Sequence, residues 1–199
     1  MQTDMERILQ LAKKQAVIAG KDLVALGIPR NYLGRLVQAG KLERVGRGLY
    51  SSPQAPVTEH RTLVEACKKI PHGVICLSSA LRYHELTTEN PHEVWIAVKR
   101  DSWRPRTDYP PVRAVRFSPE SFAFGITEPM LEDGKIRVYS AAKTVADCFK
   151  LKGRVGTDLA IQALREAVRQ RKATMDELWK AAKVCRVANV MRPYMESLS

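Results

Sequence analysis

Between Pro29 and Gly40 the chain reads PRNYLGRLVQAG, a stretch that leaves the backbone little choice. Proline suits the first position of a helix and glycine the left-handed residue that ends one, so the two markers enclose a helix of about ten residues. Leu33, Leu36 and Val37 form its apolar stripe, and Asn31, Arg35 and Gln38 fall at i, i+4 and i+7 on the opposite side. Upstream, Thr3 followed three positions later by Glu6 makes a capping box ahead of Met5, Ile8, Leu9 and Ala12 at helical spacing. A short apolar segment, residues 22–26, is closed by Gly27 and predicts a second, short helix. Three helices in this length leave only tight turns between them.

Residues 41–50, KLERVGRGLY, follow as two β-prone runs joined by a Gly-Arg-Gly turn, which predicts a hairpin with Arg47 at its tip. Three helices and a hairpin make a winged helix-turn-helix. Its outward helix stripe consists of residue types that read bases: Arg grips guanine bidentately, and Asn and Gln grip adenine, when a helix lies in the major groove. Arg30 and Tyr32 flank Asn31 at the helix start and join this set. Lys41, Arg44 and Arg47 on the hairpin are placed for phosphates or a minor groove. Gly34, among them, costs the helix about 1 kcal/mol relative to alanine, and its bare backbone permits close approach of a phosphate or a neighbouring helix. The competing reading of the stripe is the solvated face of an amphipathic helix.

Charge supports the first reading. Lys and Arg number 33 against 21 Asp and Glu, a formal net charge of +12, the balance of a protein that works against phosphates. Hydrophobic residues at 45 % and charged residues at 27 % are ordinary for a folded soluble chain. No apolar run of about 18 residues occurs and the N-terminus is polar, so neither a membrane span nor a leader is expected, and the chain is read as cytoplasmic.

A Ser-Ser-Pro-Gln-Ala-Pro stretch, residues 51–56, has the composition of a semi-rigid connector. It places a winged-helix domain at 1–52, a linker at 53–58 and a second domain at 59–199. There, residues 74–77 and 94–98 are unbroken apolar runs that predict strands covered on both faces, and Ile136 and Val138 alternate with Arg137 and Tyr139 as in a half-exposed strand. Ser78 is placed to cap a helix running to about Leu86, and Ser140 another bearing Ala142, Val145, Ala146 and Phe149. From Thr157 the pattern is helical, with a second capping box at Thr174 and Glu177 and with Pro193 expected to kink or split the last helix. The fold class is α+β: a winged helix followed by a mixed α/β domain with a C-terminal helical cap. Arg165, Arg169, Arg171 and Lys172 form a possible second basic face, for phosphates or an acidic partner, or a solvated surface partly paired with Glu166.

The sequence QAGKLERVGRGLYSSP, with CLSSALRYHELT, EVWIAV and RVYSAAKTVADCFK after it, resembles the AbiEi family of type IV antitoxins, over nearly the whole chain. The resemblance implies a repressor that binds inverted repeats in double-stranded DNA upstream of its own operon. It also implies a C-terminal domain that counteracts a nucleotidyltransferase toxin without necessarily forming a stable complex with it. Two copies on one operator would sit on half-sites about one or more helical turns apart, a dimer on DNA.

Catalysis finds little support. There is no GxxxxGK[ST] loop, no GxGxxG after a strand and no GxSxG elbow. Gly156-Thr157-Asp158 lacks the second carboxylate that a nucleotidyltransferase uses to hold metal. No cofactor is called for. Cys67, Cys76, Cys148 and Cys185 lie apart in apolar surroundings and read as reduced core residues, and with His60, His72, His84 and His92 scattered no metal site is expected. His84 reads as a helix-end residue. Glu93 and Lys99, flanking a buried strand, leave open a metal-dependent nuclease, and a small-molecule sensor is the other alternative for the second domain.

Overall fold

The computed structural model describes residues 2–55, 58–102, 105, 107–131 and 134–198. The chain divides into two compact units, the first made of Met1–Pro71 with Pro129–Ile136, the second of His72–Glu128 with Arg137–Ser199. The first unit therefore extends past the proposed linker, of which Pro56 and Val57 lie outside the described residues.

In the first unit α1 (Asp4–Lys14) opens on the expected capping box, Glu6 N–H donating to Thr3 Oγ1 at 3.3 Å and Thr3 N–H to Glu6 Oε2 at 2.9 Å. β1 (Ile18–Ala19) follows, then α2 (Gly20–Val24), α3 (Asn31–Gln38), β2 (Glu43–Gly46), β3 (Leu49–Ser51) and α4 (Arg61–Lys69). The strands form an antiparallel sheet in the order β1-β3-β2, which with α1, α2 and α3 is the winged-helix arrangement. Ile8, Ala12, Ile18, Leu23, Ile28, Leu33, Leu36 and Leu42 make one buried core. α4 is tied to the helices before it by a buried Lys68 ammonium that donates to Gln15 Oε1 at 3.1 Å and ion-pairs with Asp22; burial lowers the Lys68 pKa against the pull of that carboxylate.

The second unit contains β4 (Val74–Ile75), α5 (Leu77–Tyr83), β5 (Val94–Lys99), β6 (Val112–Phe117), α6 (Pro119–Ala123) and β7 (Ile126–Thr127). After β8 (Met130–Leu131) and β9 (Gly134–Lys135), which belong to the first unit, come β10 (Val138–Tyr139), α7 (Ala141–Lys150), α8 (Lys152–Val155), α9 (Thr157–Arg169), α10 (Met175–Val184) and α11 (Ala188–Glu196). The sheet order is β6-β5-β4-β10-β7, with β5∥β6 and β4∥β10 parallel and the other pairs antiparallel. α7 is buried along almost its whole length and packs against α5, α9 and α10, of which the last two belong to the C-terminal helical cap. The α+β class is thus observed. No helix among the described residues is long and apolar enough to cross a membrane.

Several expectations are corrected. The first strand is only Val74–Ile75, because Leu77 turns to φ 47° and begins α5; Cys76 is the N-cap and Ser78 lies inside a helix that ends at Tyr83. Tyr139 is fully buried rather than outward, its hydroxyl donating to the Phe122 carbonyl at 2.9 Å, and Ile136 lies outside the strand. Pro193 does not split α11. Ser140 caps α7 and Thr174 caps α10, as expected. All four cysteines are buried and none is in a disulfide.

β7 pairs with β10 in the second unit, and β8 pairs with β9 as a separate two-stranded sheet in the first. In the second unit Ile126 pairs with Tyr139 and Thr127 with Val138; in the first, Met130 pairs with Lys135 and Leu131 with Gly134, and Ile136 N–H donates to Pro129 O at 3.1 Å. In the second unit Arg137 and Glu128 form an ion pair at 3.1 Å. In the first, Gly134, at φ +137°, lies where a Cβ would meet Val64 of α4 at 3.1 Å.

Candidate nucleic-acid interface

The helix that carries the polar stripe is fixed at both ends by backbone geometry. α3 begins at Asn31 with Arg30 as N-cap, so Pro29 precedes the helix instead of occupying its first position; its carbonyl accepts from Tyr32 N–H at 3.4 Å. At the other end Gly40 adopts φ +65°, and Lys41 N–H returns to the Leu36 carbonyl at 2.9 Å. That bond closes a Schellman turn, which needs a left-handed residue at this place. The same device ends α2, where Gly27 has φ +72° and Ile28 N–H donates to Leu23 O at 2.9 Å. Leu33 and Leu36 are buried and Val37 is half-buried, whereas Arg30, Asn31, Arg35 and Gln38 are all exposed on the opposite side.

Tyr32 differs from its neighbours. It is half-buried against the core, and the Arg35 guanidinium lies over its ring at 5.5 Å. The ring thus supports Arg35, a cation–π contact of about 0.5–1 kcal/mol at an exposed site. Arg30 is anchored through its stem, whose Cδ lies 3.1 Å from where a Cβ on Gly20 would stand. Gly34 faces open space, with nothing within 4 Å of the place a Cβ would take. No packing among the described residues calls for a glycine there.

The hairpin turns through Arg47 and Gly48, the latter at φ +72°, and carries a register shift between Arg44 and Gly46. Arg47, Lys41 and Arg44 are exposed. Arg44 bends back, its Nε donating to the Gly46 carbonyl at 3.4 Å, so it braces the irregular strand, whereas Arg47 stands at the tip. Residues 1–56 carry nine cations against four carboxylates. Two supporting contacts, the Arg30 stem on Gly20 and Lys68 on Asp22, join residues distant in sequence and leave no local pattern.

In the second unit the basic residues of α9 and its end are partly neutralised. Arg169 holds Glu166 through Nε at 3.2 and 3.1 Å, a contact that keeps the Glu166 carboxyl below the usual range, and Lys172 pairs with Glu85 at 2.9 Å. Arg165 and Arg171 are exposed, Arg171 as the left-handed residue after the helix, at φ 55°. His84 ends α5, and its Nε2 donates to the Tyr139 carbonyl at 2.7 Å while burial lowers its pKa. It is a structural helix-end residue. Ser79 accepts from Trp95 N–H at 2.9 Å and Glu93 pairs with Arg113 at 2.8 Å, so these groups are committed to holding strands and loops. Among the described residues no cluster of three or more His, Cys, Asp or Glu is placed to hold a metal ion.

Comparison with known proteins bears on the first unit. Residues 6–53 match the model of the AbiEi antitoxin transcriptional regulators, a span that runs from the first turn of α1 to just past β3. No curated protein matches the chain.

Proposed function

We propose that this chain, bearing an AbiEi antitoxin regulator module over residues 6–53, is a sequence-specific repressor of its own operon and the antitoxin of a type IV toxin–antitoxin pair. α3 enters the major groove of duplex DNA with Asn31, Arg35 and Gln38 toward the bases, and the β2–β3 hairpin sets Arg47 on the backbone. Two copies bind an inverted repeat. The second unit acts against a nucleotidyltransferase toxin. The observation that carries the DNA reading is the polar stripe opposite Leu33 and Leu36, next to a hairpin with a cation at its turn, inside the span that matches the regulator family.

The test is footprinting and titration on the promoter region of the chain's own operon. Arg35→Ala should cost about 1–3 kcal/mol on the cognate site and relax its base preference. Arg47→Ala should weaken binding to all duplexes alike and lower the salt slope by about one unit. An unaltered footprint and affinity in Arg35→Ala would falsify the base-reading role.

Gly34→Ala separates groove contact from solvation, because its two effects have opposite signs. The methyl enters open space in the protein, so the helix should gain up to about 1 kcal/mol in thermal unfolding. Binding to the operator should fall. A variant that is more stable and binds as well as the parent would show that the α3 backbone does not approach DNA.

A further inference from the structure

We propose that a cavity in the second unit binds a nucleoside phosphate. It measures about 510 Å³, within the range of pockets that hold small ligands, and opens between the start of α5, the loop before β5, β6 and α8.

Its chemistry is specific. Trp95 and Arg113 are register partners on the parallel strands β5 and β6, and the Arg113 guanidinium lies 4.8 Å from the centre of the Trp95 ring. Glu93 holds the same guanidinium at 2.8 Å. The guanidinium lies over the indole with its Nε engaged by the carboxylate, which leaves Arg113 a second flat face as a platform on which an aromatic base stacks. The platform is stiff: Trp95 is buried, and its backbone is pinned on both sides, N–H to Ser79 Oγ at 2.9 Å and carbonyl to Cys76 N–H at 3.0 Å.

Arg154 on α8 also lines the cavity, is exposed, and has no acidic partner among the described residues. An uncommitted guanidinium with its full fork of donors recognises phosphate or carboxylate. Ser78, Asn90 and His92 add hydroxyl, amide and imidazole groups at the wall, suited to the edge of a base or a ribose. A stacking platform and a free anion receptor in one cavity describe a ligand that carries a planar ring and a phosphate. The base and phosphate could belong to a free nucleotide or to a single-stranded nucleic acid end.

Isothermal titration of the full chain with AMP in about 0.15 M salt, where surface charges are screened, tests this. The expected result is saturable one-site binding, weakened about tenfold or more by Arg154→Ala and by Arg113→Ala, and unchanged in Lys183→Ala, which removes an exposed cation elsewhere. Inorganic phosphate should bind at least about tenfold more weakly than AMP, since it lacks the ring that stacks. Both arginines are exposed, and thermal unfolding of each variant checks that the fold survives. A short single-stranded oligonucleotide that binds more tightly than AMP through the same two arginines would assign the site to nucleic acid ends, with the recognition chemistry retained. Absence of binding at millimolar AMP, equal affinity for phosphate and AMP, or indifference to both substitutions overturns the proposal.

Discussion

Asp147→Ala should destabilise the second unit by about 3–5 kcal/mol, read as a drop in the midpoint of urea unfolding. Lys143 and Asp147 stand one helical turn apart on α7, and neither side chain is exposed at all. The Lys143 ammonium is enclosed by the Tyr139 ring at 4.2 Å and the Phe117 ring at 4.7 Å. Asp147 in turn accepts from the Cys185 thiol at 3.3 Å. Burial pushes the Asp147 carboxyl up, and Lys143 pulls it back. Removing the carboxylate leaves a buried ammonium without a counter-ion, which is the expensive half of such a pair. Replacing both, with Lys143→Met and Asp147→Leu, should be close to neutral or stabilising, because an apolar pair of similar volume has no charge to desolvate. If the single substitution costs under about 1 kcal/mol, water reaches the pair and α7 is not packed dry.

The second large effect is expected at Gly125. Its φ of +72° lies in the left-handed region, and an added Cβ would stand 2.8 Å from Lys143 Cβ and 3.1 Å from Ser140 Oγ. The backbone cannot easily shift away, since the Gly125 carbonyl accepts from Ser140 N–H at 2.7 Å. Gly125→Ala therefore combines a conformational cost of about 1–2 kcal/mol with an overpacking cost of about 1–3 kcal/mol. Gly156 faces open space but sits at φ +93° and ψ 143°, a region open essentially to glycine alone, so Gly156→Ala should lose about 1–3 kcal/mol from backbone strain without any overpacking. Equal losses at the two positions would show that the α7 face yields to the methyl.

Local rules carried much of this architecture. The capping boxes at Thr3 and Thr174, the Schellman turns at Gly27 and Gly40 and the Arg47-Gly48 hairpin each depend on residues within a few positions, so they are written in the sequence. The exposure of Asn31 and Arg35 opposite a buried Leu33 and Leu36 follows from the helical period alone. What escaped was set by distant partners. β1 is two residues long and exists because β3 supplies its hydrogen bonds. Tyr139 reads as a surface residue until its hydroxyl finds the Phe122 carbonyl. Tyr32 and Arg44 belong by type to a DNA-facing set, yet one is wedged under Arg35 and the other bends onto its own strand. The Lys143 and Asp147 pair was hidden because charged residues one turn apart usually lie on a solvated surface.

Because residues Pro129–Ile136 count with the first unit, that unit is assembled from two separate stretches of chain and is completed late during biosynthesis. A nascent chain that has emerged from the ribosome only as far as α4 still lacks the segment that places Gly134 beside Val64. Translation must pass residue 136 before the first unit has all of its parts, whereas the buried core that runs from Ile8 to Leu42 is complete long before then.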